Sequence, residues 1–219
     1  MIKSLIFDFD GTIIDTETPW YYAFKDIYQE YGVDLPLELW SKCIGTSFDH
    51  FNPFQHLEQC LNQPMNREEI EIRSKEHYKK YINNVKLRDG VVHVLSEARL
   101  KGLSIAIASS STRSWIVPYL EKHEILHYFD YIVTKDDVSQ IKPNPELYVK
   151  AIELLNVKPT ETIAIEDSLN GLIAAKAAGI YCVVTPNEVT KALPFEGHDL
   201  ILSSLQEIGF DELITCYRK

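Results

Sequence analysis

The stretch that decides the fold lies near the N-terminus, where residues 4–12 have the sequence S-L-I-F-D-F-D-G-T. Its apolar start is typical of a buried strand. Two aspartates, Asp8 and Asp10, come directly after the apolar residues, and Gly11 then favours a turn. Residues two positions apart in a strand point the same way. We therefore expect both carboxylates to face one site, which needs a cation or a shared proton.

Five further apolar runs follow along the chain, and segments of helical period separate most of them. The runs cover residues 103–108, 131–134, 162–165, 181–184 and 199–202. The helical segments cover residues 90–101, 112–123, 145–156 and 169–178. Alternation of strands and helices predicts a parallel sheet with helices on both faces. The fold class is therefore predicted to be α/β, with a Rossmann-like core.

One interval interrupts this alternation. Between the first strand and Gly90 lie roughly seventy residues with helical periodicity and no convincing strand. The candidate helices cover residues 20–31, 37–44, 51–61 and 66–83. We expect an all-helical domain at residues 16–87, inserted into a Rossmann-like core formed by residues 1–15 and 88–219.

Composition excludes several classes of protein. The 219 residues are 45% hydrophobic and 25% charged, which is typical of a globular chain rather than a disordered one. A formal net charge of -10 disfavours nucleic acid as a partner. The four cysteines form no CxxC pair, and no apolar run reaches membrane-spanning length. We expect a cytoplasmic protein without a membrane partner, and a monomer as the default, with a homodimer as the alternative.

Reactive side chains also follow three other predicted strands. Serines 109–111 come at the start of a helix, where free backbone N–H groups favour a phosphate. Lys142 is held on a loop by the proline after it, and Glu166 and Asp167 form a second acidic pair. Taken singly, these features are typical of helix caps and solvated surfaces. Because ligands bind at the carboxyl ends of parallel strands, their co-occurrence predicts one site, with oxygen ligands that suit magnesium.

The order of these groups resembles the four motifs of the haloacid dehalogenase-like hydrolase superfamily. The motifs are D-F-D-G-T at residues 8–12, the hydrophobic run ending at Ser109, Lys142 before a proline, and E-D-S at residues 166–168. The helical insertion is similar to the cap domain of the β-phosphoglucomutase-like and phosphoglycolate-phosphatase-like branch. The resemblance spans nearly the whole chain, and the joint pattern is far more specific than any of its parts.

The resemblance implies a magnesium-dependent phosphatase that hydrolyses a small phosphorylated metabolite through an aspartyl-phosphate intermediate. In this mechanism Asp8 is the nucleophile, and Asp10 first protonates the leaving oxygen and then activates water. Ser109 and Lys142 hold the phosphoryl oxygens. The implied Mg²⁺ ligands are Asp8, Asp10 through its main-chain carbonyl, and Asp167. Glu166 is implied either to support these ligands without touching the metal or to be an alternative ligand. The implied substrate-binding residues are Ser109, Ser110, Lys142, Thr16, Gly45, Thr46 and Trp20.

Two alternatives stay open. The first is a sugar-phosphate mutase resembling β-phosphoglucomutase; where that enzyme has a histidine and an arginine, this chain has Trp20 and Phe48, which favours hydrolysis. The missing positive charge could instead come from Arg67, Arg73 or His50. The second is a phosphate- or metal-binding module whose catalytic residues are idle. A halide-displacing enzyme is disfavoured because such members lack the second aspartate, which is Asp10 here.

Overall fold

The computed structural model describes residues 1–41, 51–83 and 85–215. Within these residues, six strands form one sheet in the order β3-β2-β1-β4-β5-β6, and every pairing is parallel. The strands are β1 (Ser4–Phe7), β2 (Ser104–Ala108), β3 (Tyr131–Val133), β4 (Thr162–Glu166), β5 (Tyr181–Val184) and β6 (Leu200–Ile201). The predicted α/β class with a parallel sheet is confirmed.

Helices cover both faces of this sheet. They are α5 (Val91–Leu100), α6 (Arg113–Lys122), α7 (Glu146–Leu155), α8 (Leu169–Ala177) and α9 (Phe210–Leu213). Because side chains alternate along a strand, Leu5 and Phe7 of β1 pack on the face covered by α5, α6 and α9, whereas Ile6 packs on the face covered by α7 and α8. The apolar run of β1 is therefore buried on both sides, as a central parallel strand requires.

The segment between β1 and α5 is helical wherever the structure describes it. It contains α1 (Glu17–Glu30), α2 (Leu37–Trp40), α3 (Pro53–Leu61) and α4 (Arg67–Ile82). These helices share their own apolar cluster, which includes Tyr28, Leu57 and Ile70. Ile14 pairs with Leu87 in an isolated bridge, so the chain leaves and re-enters the sheet region at adjacent points.

Helix α1 begins at Glu17, three residues before the predicted start at Trp20. The prediction placed Pro19 outside the helix. Proline is tolerated in the first turn of a helix, because a backbone N–H there has no partner within the helix. None of the described helices combines the length and apolar character that a membrane crossing requires.

Candidate active site

The predicted reactive residues meet where the three central strands end. Strand β1 lies between β2 and β4, and the chain order changes direction around β1. Asp8 follows β1 and its N–H still donates to the carbonyl of Ile165, at 2.9 Å. Ser109 follows β2 in the same way, Glu166 is the last residue of β4, and Asp167 comes next. Such a crevice at the carboxyl edge is the ordinary ligand site of an open α/β sheet.

Lys142 joins the ends of β1 and β4 through buried ion pairs. Its Nζ donates to Asp8 Oδ1 and, at 2.7 Å, to Glu166 Oε1. Burial alone would lower the pKa of Lys142, but the two carboxylates outweigh it and raise that pKa above its usual value. Lys142 is therefore a permanent positive charge beside Asp8.

Glu166 lies under Lys142 and is fully buried. Its Oε1 also accepts a hydrogen bond from the Tyr148 hydroxyl at 2.6 Å, and its Oε2 accepts from Ser168 Oγ at 3.1 Å. Tyr148 was not predicted from the sequence. It lies on the apolar face of α7, where a tyrosine has the same pattern as any core aromatic.

Three carboxylates can converge on one cation. Asp8, Glu166 and Asp167 each offer an oxygen, and these oxygens lie within 4.8 Å of one another. Burial, followed by nearby carboxylates, raises the pKa of Asp167, and burial raises the pKa of Asp8 despite the lowering effect of Lys142. A bound cation would relieve the repulsion among these buried carboxylates, so the cluster favours cation binding. Carboxylate oxygens are hard donors, which suit a divalent metal ion.

Asp167 is held from both sides. Thr12 Oγ1 donates to its Oδ1 at 2.9 Å, and Asn187 Nδ2 donates to its Oδ2 at 2.9 Å. Gly11 makes this approach feasible: its φ is +83°, and a Cβ there would lie 2.2 Å from Asp167 Oδ2. Asn187 also donates to Glu17 at 3.1 Å, and neither residue was predicted from the sequence.

Asp10 accepts three side-chain hydrogen bonds. Thr16 Oγ1 and Trp115 Nε1 donate to Oδ1 at 2.7 and 2.8 Å, and Ser111 Oγ donates to Oδ2 at 2.5 Å. Thr16, one of the predicted substrate-binding residues, both bonds to the carboxylate of Asp10 and lines the cavity around it. Trp115 was missed, because an aromatic residue on a helix near a serine run is typical of core packing.

The reactive side chains open into a cavity of about 280 Å³. Its lining residues are Asp8, Asp10, Thr16, Glu17, Trp20, Ser109, Ser110, Ser111, Trp115, Lys142, Ser168 and Asn170. Five of the predicted substrate-binding residues thus line one pocket: Ser109, Ser110, Lys142, Thr16 and Trp20. Gly45 and Thr46, the other two predicted substrate-binding residues, lie outside the described residues.

A larger cavity of about 680 Å³ lies around Arg88. The Arg88 guanidinium donates to the main-chain carbonyls of Gly11, Thr185 and Pro186. Neither Asp8 nor Lys142 lines this cavity. The chemistry of the chain therefore points to the smaller cavity, despite the difference in size.

The arginines that could have supplied a second phosphate clamp are engaged elsewhere. Arg73 pairs with Glu30 and donates to the Tyr31 hydroxyl at 3.1 Å. Arg67 pairs with Glu71 at 3.3 Å and lies over the Phe54 ring.

Neither Arg67 nor Arg73 lines the smaller cavity, and His50 lies outside the described residues. Lys142 is the one cationic side chain among the described lining residues.

Comparison with known proteins identifies relatives across almost the whole chain. The family model described as haloacid dehalogenase-like hydrolase matches residues 5–185. YhcW of Bacillus subtilis (strain 168), provisionally named a phosphatase, is 46% identical over 208 residues, covering 95% of this chain and 94% of YhcW. Hexitol phosphatase B of Escherichia coli (strain K12) is 30% identical over 216 residues, covering 97% of each chain.

Solved structures agree with the sequence comparisons. CbbY from Rhodobacter sphaeroides in complex with phosphate superposes with a TM-score of 0.68 at 30% identity, covering 95% of this chain and 97% of CbbY. A mutant of CbbY has also been solved in complex with xylulose 1,5-bisphosphate, and it superposes with a TM-score of 0.66 at 29% identity. The sheet order, the strand-end residues and these matches agree: this chain belongs to the haloacid dehalogenase-like hydrolase family.

Proposed function

We propose that this hydrolase is a phosphatase that cleaves a small phosphate monoester and uses Mg²⁺. The observation that carries the proposal is the convergence of Asp8, Lys142 and the acidic pair Glu166–Asp167 at adjacent strand ends. A carboxylate can act as the nucleophile that attacks a phosphate ester. A fixed positive charge and a metal ion stabilise the negative charge that develops on the phosphoryl oxygens during this attack. The YhcW and hexitol phosphatase names support the same reaction class.

In the first half of the reaction, an oxygen of Asp8 attacks phosphorus in line with the ester oxygen. The bond from phosphorus to the ester oxygen breaks, and the departing oxygen takes a proton from Asp10. The product alcohol leaves, and Asp8 carries the phosphoryl group as an aspartyl-phosphate.

In the second half, water attacks the same phosphorus and gives its proton to Asp10. The bond between phosphorus and Asp8 breaks, which releases inorganic phosphate and restores the Asp8 carboxylate. Asp10 thus returns to its protonated form for the next turnover. Asp10 lines the cavity wall together with Asp8, which supports this double role.

Lys142, Ser109 and Ser110 bind the phosphoryl oxygens in this proposal. The Lys142 ammonium is buried and fixed by Glu166, so it needs little reorganisation as negative charge develops. Ser109 is buried at the end of β2, and Ser110 lines the cavity beside it.

Asp8, Asp167 and the main-chain carbonyl of Asp10 would hold the metal ion. When bound, Mg²⁺ neutralises the repulsion between the Asp8 carboxylate and an anionic substrate. Both oxygens of Glu166 already accept hydrogen bonds from protein groups. We therefore assign Glu166 first to the orientation of Lys142, and keep it as the alternative metal ligand.

The helical segment acts as a cap over this site in our proposal. Residues 1–15 and 88–219 form the catalytic core, and residues 16–87 form the cap. Thr16 and Trp20 bring the start of the cap into the cavity wall. We propose a phosphorylated carbohydrate as the substrate, because hexitol phosphatase B and the CbbY complex with xylulose 1,5-bisphosphate are among the relatives.

Hydrolysis is favoured over the mutase alternative by the charge of the cavity. A mutase must hold a sugar bisphosphate, and that requires two cationic clamps. Lys142 supplies one, and the described lining residues contain no other cation. The bound alcohol is therefore expected to leave rather than be phosphorylated again.

Phosphate release from a panel of esters tests this function. The panel contains glucose 6-phosphate, β-glucose 1-phosphate, glycerol 3-phosphate, xylulose 5-phosphate and 4-nitrophenyl phosphate, each with Mg²⁺ and with chelator. We expect metal-dependent release that falls by at least ~1000-fold in Asp8→Asn. The control is Asp34→Asn, an exposed aspartate on the cap, which should leave turnover unchanged.

Other outcomes would assign a different function. Conversion of β-glucose 1-phosphate into an isomer without phosphate release would make the chain a mutase. Binding of Mg²⁺ with no turnover of any ester would favour the idle module. Substantial turnover by a correctly folded Asp8→Asn variant would place the nucleophile elsewhere.

A further inference from the structure

The carboxylate of Asp10 is bonded unequally at its two oxygens. Oδ1 accepts from two donors, Thr16 Oγ1 at 2.7 Å and Trp115 Nε1 at 2.8 Å. Oδ2 accepts from one described donor, Ser111 Oγ at 2.5 Å. These donors come from three places: the start of the cap, helix α6 and the loop after β2.

The number of acceptor sites makes this inequality meaningful. A carboxylate offers about four lone-pair sites, two on each oxygen. Both sites of Oδ1 are occupied, whereas Oδ2 has one described donor and therefore one acceptor site without a described partner. The indole N–H of Trp115 can donate but cannot accept, so a proton on Oδ1 would compete with two donors for the lone pairs of that oxygen. The Ser111 hydroxyl can both donate and accept, so it can also pair with a protonated Oδ2. Trp115 therefore keeps the proton of Asp10 off Oδ1.

The indole ring of Trp115 is itself held between the two parts of the molecule. The centroid of this ring lies 5.2 Å from the ring centroid of Tyr119 on α6 and 6.4 Å from that of Tyr78 on α4. Tyr78 stacks on Trp20 of α1 at 4.1 Å. Aromatic contacts on both sides fix the direction of the N–H, which a surface tryptophan would not have.

We propose that Trp115 is a positioning residue for Asp10, which fixes the carboxyl group through Oδ1 and leaves Oδ2 as the oxygen that transfers the proton. This inference rests on the proposed phosphatase function. Oδ2 gives its proton to the ester oxygen as the phosphorus–oxygen bond breaks. It later takes a proton from the water whose oxygen bonds to phosphorus, so the carboxyl group is restored.

Leaving-group dependence separates this role from a purely structural one. Trp115→Phe keeps an aromatic ring and removes the donor. An alkyl phosphate needs its leaving oxygen protonated, whereas 4-nitrophenolate leaves with little help. We expect kcat/KM for the best alkyl ester of the panel to fall roughly 10- to 100-fold. For 4-nitrophenyl phosphate we expect a fall of less than about 3-fold.

Two further variants make the test decisive. Trp40→Phe is the same substitution at a buried cap tryptophan outside the cavity, and it should leave the ratio of the two kcat/KM values unchanged. Replacing Trp115 with benzothienylalanine keeps the ring shape and removes only the N–H. It should reproduce the leaving-group signature, including in the case where Trp115→Phe does not fold.

Equal losses on both esters, or no loss on either, would overturn the positioning role of Trp115. Such a result leaves the phosphatase function intact, because the wild-type chain would still release phosphate. A wild-type chain that releases no phosphate from any ester would overturn the proposed function and this inference together.

Discussion

Glu166 can lie under Lys142 because residue 171 is a glycine and has no Cβ. Gly171 is in the first turn of α8, and a Cβ at this position would lie 1.9 Å from Glu166 Cδ. The Glu166 carboxylate cannot retreat freely, because Lys142, Tyr148 and Ser168 all bond to it. A side chain at position 171 must therefore displace the group that orients the lysine.

Gly171→Ala should damage the site more than it damages the helix. Alanine has the better helix propensity, by about 1 kcal/mol, but overpacking costs about 1–3 kcal/mol. We expect an unfolding free energy lower by about 1 kcal/mol and a kcat at least ~10-fold lower, measured by urea denaturation and phosphate release.

The control is Gly209→Ala, because position 209 is exposed and a Cβ there meets no atom within 4 Å. It should leave kcat unchanged. Wild-type kcat in Gly171→Ala would show that Glu166 can move without disturbing Lys142.

Among the elements, the start of α1 is tied to the loop after β5. Glu17 is the first residue of α1, and Asn187 bridges it to Asp167. The Oδ1 of Asn187 accepts from the N–H groups of Val189 and Thr190, so its amide nitrogen must face the two carboxylates. Burial raises the pKa of Glu17 to about 8, although the bond from Asn187 lowers it.

This shift predicts how the metal-free protein responds to pH. The folded chain keeps the proton of Glu17 up to about pH 8, whereas the unfolded chain loses it near 4.5. The folded state then binds more protons in this window, so its unfolding free energy falls as pH rises, by up to ~1.4 kcal/mol per pH unit from Glu17. Glu17→Gln removes this dependence.

Urea denaturation of the metal-free proteins at pH 5, 6.5 and 8 checks this prediction. The stability of Glu17→Gln relative to the wild type should increase steadily from pH 5 to pH 8. The control is Glu121→Gln, an exposed glutamate on α6, which should run parallel to the wild type. Parallel curves for Glu17→Gln as well would mean that Glu17 is ionised throughout.

At the scale of the whole molecule, the fold buries negative charge at the carboxyl edge of the sheet. The chain already has a net charge of -10, and three of its carboxylates, Asp8, Glu166 and Asp167, are buried together there. Lys142 compensates only part of this charge. A bound divalent cation should therefore stabilise the whole fold as well as support catalysis.

Metal removal tests this expectation. A chelator should abolish phosphate release, and saturating Mg²⁺ at about 100 times its Kd should raise the unfolding free energy by ~2.7 kcal/mol. Thermal unfolding with and without Mg²⁺ measures the effect, and Asp167→Asn should lose most of it. A melting temperature that does not respond to Mg²⁺ would argue against a metal at this cluster.

Local sequence patterns were enough to predict the sheet and the family, both of which are confirmed. Residues 162–165 lie in a strand that is buried along its whole length. A short apolar run predicts such a strand because its own composition favours burial. The boundaries were less predictable: the expected strand at 199–202 is reduced to Leu200–Ile201, at the edge of the sheet. Edge strands have one partner, so their length depends on neighbours rather than on local pattern.

The sequence by itself determined that the motif residues would meet, because they follow apolar runs and parallel strands end at one edge. Only the tertiary structure decided what holds those residues. Trp115 bonds to Asp10 across 105 positions of sequence, and Asn187 reaches Asp167 from another strand end. Neither partner has a local signature, since a side chain's hydrogen bonds depend on how distant elements pack. The reactive groups are thus set by local pattern, and their orientation is set by the fold.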